Sequence, residues 1–157
     1  MRLRAARIVV VAIALGSPLA SCSDGALSKE EFIAQADAIC KQADEQTETL
    51  ATPTSPAEAG GFVEKAQEIT GESVRKIREL EPPAGDEDTI ETMLNKVEEA
   101  LAYLPTMAEA AQAKDLKTLQ EAGRQLQATA GEAQKIARDY GFEVCGGVGA
   151  ADAGPTR

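Results

Sequence analysis

From residue 28 to residue 140 the apolar residues return every three or four positions, the spacing that lines one face of a helix. No stretch of any length alternates apolar and polar residues as a half-buried strand does. That periodicity restricts the chain to an all-α fold. Four stripes are legible, each bounded by its own start and stop signals. The first runs through Phe32, Ala36, Ile39, Ala43 and Leu50. Ser28 and Glu31 form a capping box at its start, and Thr52-Pro53-Thr54 ends it. The second runs through Phe62, Ala66, Ile69, Ser73, Ile77 and Leu80, behind the capping box Ser55-Pro56-Ala57-Glu58, and stops at Pro82-Pro83. Gly60 and Gly61 weaken its first turn.

The third stripe starts near Asp86, where Asp86, Glu87 and Asp88 meet the positive end of the helix dipole. It continues through Ile90, Met93, Leu94, Val97, Leu101, Leu104, Met107 and Ala108. Pro105 removes one hydrogen bond and crowds the preceding turn, and because the stripe keeps its phase across it, a kink is expected rather than a full break. The fourth opens at Asp115 and carries Leu116, Leu119, Gly123, Leu126, Ala130, Ala133, Ala137 and Tyr140 before Gly141 ends it. Each helix must bury one stripe and the connections are short. The expectation is therefore an up-down-up-down four-helix bundle over residues 28–145, with a kinked third helix. Its alanine-rich stripes should draw the helices close while burying little area per position. Residues 146–157 carry no periodic apolar residues and are expected to be disordered.

The first 21 residues have a different character and precede the fold. Arg2, Arg4 and Arg7 form a basic start, and Ile8 through Leu15 is an unbroken run of eight apolar residues ending at Gly16-Ser17-Pro18. Eight is well short of the roughly 20 needed to cross a bilayer. This is the pattern of an export signal. At its end, Leu19-Ala20-Ser21-Cys22 resembles the lipobox of bacterial lipoproteins, whose cysteine takes a diacylglyceryl thioether and becomes the mature N-terminus. The resemblance implies cleavage after residue 21, lipid attachment at Cys22 and a short lipidated tether over 22–27. It also implies a place at the cell membrane on the extracytoplasmic side. An ordinary signal peptide with an incidental cysteine is the alternative. Two acyl chains anchor stably where one does not, at about 0.8 kcal/mol per buried methylene.

The chain holds 26 Asp and Glu against 16 Lys and Arg, and three of those bases precede the cut, so the remainder is net −13. Such a charge repels nucleic acid and anionic headgroups. No nucleic-acid partner is expected. Of three cysteines, lipidation of Cys22 would leave Cys40 and Cys145, an even pair suited to an oxidising compartment. A bridge between them would compensate for a core poor in large side chains, whereas two free thiols would not. The bridge requires the two Cα atoms to come within about 7 Å. Cys40 lies mid-helix, so the segment Phe142–Cys145 must turn back along the first helix or meet a displaced one. The alternation of Phe142 and Val144 with polar neighbours reads as an extended strap.

Three segments resemble a group of small actinobacterial exported lipoproteins of uncharacterised function. They are Ala36-Asp37-Ala38-Ile39-Cys40, Leu80-Glu81-Pro82-Pro83-Ala84-Gly85-Asp86-Glu87, and Tyr140-Gly141-Phe142-Glu143-Val144-Cys145-Gly146. The similarity spans roughly residues 27–146. It implies a compartment and a disulfide, and it carries over no catalytic residue.

Chemistry-bearing motifs are sparse. Without histidine the chain can hold no Ser-His or Cys-His pair and no zinc-hydrolase helix. It has no phosphate-binding glycine loop, and the cysteines are too far apart for a redox Cys-x-x-Cys pair. The acidic run Asp86, Glu87, Asp88 and Glu91 lacks the oxygen and glycine positions of a calcium loop, since Ile90 stands among them. No cofactor, metal or enzymatic activity is expected. Gly123 on the apolar face of the fourth helix leaves room opposite its neighbours, by close packing or as a pocket bordered by Met93, Met107, Gly123 and Leu126. The sequence favours a non-enzymatic surface module that binds a protein or envelope component. A carrier of an apolar small molecule or lipid inside the bundle is the alternative.

Overall fold

The computed structural model describes residues 26–147, and no strand occurs among them. Residues 1–25, on which the expected export signal and lipidated Cys22 fall, and residues 148–157 lie outside the described residues. Helix α1 is Lys29–Glu48, α2 is Pro56–Arg78, α3 is Glu87–Leu101, α4 is Tyr103–Ala113 and α5 is Leu116–Tyr140. The expected start signals set three of these boundaries. Ser28 and Glu31 form the full reciprocal box, with the Glu31 N–H donating to Ser28 Oγ at 3.2 Å and the Ser28 N–H to Glu31 Oε2 at 3.0 Å. Ser55 Oγ accepts the Glu58 N–H, but the Glu58 carboxylate reaches back one residue further than expected, to the amide and hydroxyl of Thr54 at 2.9 Å each. Asp115 accepts the Thr118 N–H at 3.1 Å.

The third stripe is carried by two helices, which corrects the expected kink. The helix stops after Leu101 and restarts at Tyr103, with Ala102 between them at φ −65° and ψ −16°. Pro105 is then the third residue of α4. In the first turn of a helix the amide it lacks would have had no partner anyway. The helical backbone at Ala102 keeps the stripe in phase, so α3 and α4 both lie against α5.

Packing is tight at one end of the molecule. Phe32 and Ala36 of α1, Val74 and Ile77 of α2, Ile90, Met93 and Leu94 of α3, Ala137 and Tyr140 of α5, and Phe142 form one buried cluster. Two bonds gather the helix ends around it. The Leu27 N–H donates to the Glu81 carbonyl at 3.4 Å, and the Tyr140 hydroxyl to Asp86 Oδ2 at 2.8 Å. Arg78 clamps α2 to α3, reaching Glu98 at 2.5 Å, Asn95 at 2.8 Å and Glu91 at 3.3 Å.

Helix α1 approaches α2 closely, but its backbone comes within 8 Å of neither α3 nor α5. The alanine-rich stripes therefore do not draw all the helices together. Small residues permit close approach only where two faces meet, and here the segment after α5 stands between α5 and α1. Leu116, placed on the fourth stripe by its spacing, is 68% exposed. It is the first residue of α5, just past the left-handed Lys114 that ends α4, and it overruns the faces it would have packed on.

Candidate functional site

Residues 141–147 form a strap that climbs α1. Gly141, at φ +116°, turns the chain out of α5. A Cβ there would sit 3.3 Å from Ile33 Cδ1, so the left-handed backbone and the close approach to α1 both select glycine. Phe142 then plunges into the core, 2% exposed, against Phe32 and Tyr140 with ring centroids 6.1 and 5.2 Å away. These rings account for three of the chain's five Phe and Tyr.

The strap next folds around the carboxylate of Asp37. Consecutive amides of Glu143, Val144 and Cys145 donate to its two oxygens at 2.9, 3.0 and 2.8 Å. Three convergent N–H groups cannot come from an extended strand, whose amides alternate in direction. The strap is accordingly a run of turns, closed by the Gly147 N–H donating to the Val144 carbonyl, and this corrects the expected extended form. Cys145 is bonded to Cys40 with the Cα atoms 5.3 Å apart, so the chain does turn back along α1 and no free thiol pair remains. Gly146 and Gly147, expected in a disordered tail, belong to the strap. Gly146 is buried, and its carbonyl accepts from Arg138 at 3.0 Å.

Beneath the strap, Tyr140 joins three elements. Its hydroxyl is held by Asp86, its ring lies 4.1 Å from Lys29 Nζ, and it meets Phe32 edge-on at 85°. Burial, reinforced by the Asp86 carboxylate, pushes the phenol well above its ordinary range. A pKa raised on folding contributes stability that is complete below the unfolded value of about 10 and lost as pH rises beyond it. Denaturant unfolding between pH 9 and 11 should show this decline, at up to about 1.4 kcal/mol per pH unit. Tyr140→Phe should flatten it, and an unchanged slope would remove Tyr140 as its source.

Above the disulfide, the space left between α1 and the other helices is a cavity of about 750 Å³. Its floor is Cys40–Cys145 with Ile77, Leu94 and Ala137. Its walls are mostly apolar, among them Val97, Leu101, Leu104, Ala66 and Ala130. The alanines are the local cause of its width, because their stripe positions supply a single methyl where a leucine would reach the centre. Val144, Cys145 and Gly147 of the strap complete one side.

The residues expected to border a pocket divide between two places. Met93 and Leu126 line this cavity, while Met107 and Gly123 line a separate surface depression that Leu126 also borders. Met107 Cε packs over Gly123, 3.8 Å from where a Cβ would be, so the glycine serves helix contact between α4 and α5. The acidic run at the start of α3 is dispersed among separate partners. Asp86 takes Tyr140, Glu87 takes the Gly85 amide at 2.7 Å, and Glu91 takes Arg78. Asp37 holds the strap, a role that spacing alone did not assign. Asp44 and Glu48 line the cavity and lie toward the negative end of α1, where acids are unfavourable.

No protein-family model matches the chain, and no curated protein or solved structure resembles it at a significant level.

Proposed function

We propose that the protein is an exported lipoprotein, anchored through Cys22, that carries an apolar small molecule or lipid inside an up-down-up-down bundle and performs no catalysis. The observation that carries this reading is the cavity. Its volume of about 750 Å³ falls within the roughly 300–1,000 Å³ typical of ligand sites, and its lining is mostly apolar with a few polar groups. The bonds that join residue 27 to residue 81 and residue 86 to residue 140 support the up-down path, since they bring alternate helix ends together. On that path the tether over 22–27 holds the tightly packed end next to the membrane, and residues 51–56 and 112–115 form the distal tip. A surface module, favoured by the sequence alone, has less support. Leu116 is the one large apolar side chain strongly exposed among the described residues, and a single exposed leucine is ordinary.

Organic extraction of the protein purified from its own envelope, followed by mass spectrometry, should yield one apolar species in near-stoichiometric amount. Ala130→Phe fills the cavity from α5 and should lose that species while melting at no lower temperature. Extracts empty of any stoichiometric species, or identical from the two proteins, would overturn the carrier reading.

A further inference from the structure

Three hydroxyls that line the cavity share one chemical character, while the Gln134 amide, also in the lining, offers a donor as well as an acceptor. Thr47, Thr70 and Ser73 donate their hydroxyl protons to carbonyls of their own helices, Ala43, Ala66 and Ile69, at 2.9, 2.9 and 3.0 Å. What each leaves free is an oxygen lone pair, an acceptor. Asp44 and Glu48, one turn apart on α1, are the charged residues of the lining, and no lysine or arginine is among its residues. Both acids are exposed, which puts them at the mouth rather than the floor, and neither forms an ion pair among the described residues.

Helix physics does not account for these acids. The last turn of α1 contains no basic residue, whereas the last turn of α2 contains Arg75, Lys76 and Arg78. A carboxylate at the negative end of a helix dipole is unfavourable, and like charges four residues apart repel. Partial burial, then the neighbouring Glu48, raises the Asp44 carboxyl above its ordinary range. Local rules broken at the rim of an apolar cavity are what a binding site looks like when its compensating charge belongs to the ligand.

We infer that the molecule carried is a cationic amphiphile, with its apolar part in the cavity and a protonated amine or quaternary ammonium at the mouth beside Asp44 and Glu48. This rests on the carrier reading and names its ligand class. The spare acceptors of Thr47, Thr70 and Ser73 offer further partners to an ammonium N–H. Fatty acids and anionic phospholipids are the wrong partners, because their heads would meet two carboxylates with no base to offset them. The net −13 of the chain after residue 21 also favours the approach of cations over anions.

Three probes with one alkyl chain and different heads test this: dodecylamine, dodecanol and dodecanoate, titrated calorimetrically at pH 7 into the exported chain carrying Cys22→Ser. Dodecylamine should bind at least tenfold more tightly than dodecanol, and dodecanoate more weakly than either. Asp44→Asn combined with Glu48→Gln should bring the amine-to-alcohol ratio close to one, with circular dichroism confirming an unchanged fold. If dodecanol binds and the amine gains nothing over it, or if the advantage survives the double substitution, this inference fails and the carrier reading stands. If none of the three binds, both fail.

Discussion

Cys145→Ser is expected to lower the stability of the protein by about 4–5 kcal/mol, the chain-entropy value for opening a loop of this length. The bridge joins residues 105 apart in sequence, so its removal frees nearly the whole folded region in the unfolded state. Set against a typical total of about 5–15 kcal/mol, that loss is a large fraction of the whole. Thermal unfolding should shift down by about 15–20 °C. The same substitution should weaken any cavity ligand, because Val144, Cys145 and Gly147 are part of the wall. Cys40→Ser should match it in both respects. A shift of only two or three degrees would mean that the strap docks by its aromatic and its hydrogen bonds alone.

The second large effect is expected at Asp37, where Asp37→Ala should cost about 3 kcal/mol. Three backbone amides converge on one half-buried carboxylate, and hydrogen bonds to a charged group each contribute about 1.5–3 kcal/mol net. Some of that is recovered when the freed amides reach water at the exposed edge. Asp37→Asn should fall in between, since one of its two acceptor oxygens becomes a donor. The informative measurement is a double-mutant cycle with Cys145→Ser. If bridge and carboxylate hold one strap, the second substitution should cost at least 1 kcal/mol less than it does alone. Strict additivity would show that the strap stays docked after losing either hold.

These expectations divide sharply by how far each feature could be read from the sequence. Ser28, Ser55 and Asp115 announced their helices because a cap is a local bargain between residues three apart. Cys40 and Cys145 were legible by elimination. Pro105 was visible, but whether the helix bends or restarts depends on where its missing amide falls relative to a helix start, and that is settled by packing on α5. Asp37 was unreadable as an anchor because its partners lie 106 to 108 residues away. The cavity was hidden for another reason. A stripe of Ala43, Ala66, Ala130 and Ala133 is compatible with helices in contact and with helices held apart, and here the strap, bonded to α1 and packed on α5, lies between the two. Gly123, the position that looked most like a pocket, turned out to be filled by Met107.

The tightly packed end has a bearing on how the protein is made. Its members run from Phe32 to Phe142, so they include some of the first and last residues of the fold. A chain made N-terminus first, and threaded the same way through a membrane if it is exported as proposed, delivers Phe32 and Asp37 early and holds them without their partners until residue 145 emerges. Contacts of such sequence separation form slowly, because the connecting loop must close before any of them is rewarded. α3 and α5 can pair through nearby residues before the strap arrives. α1 waits longest, and residues 141–147 are the last of the described fold to dock.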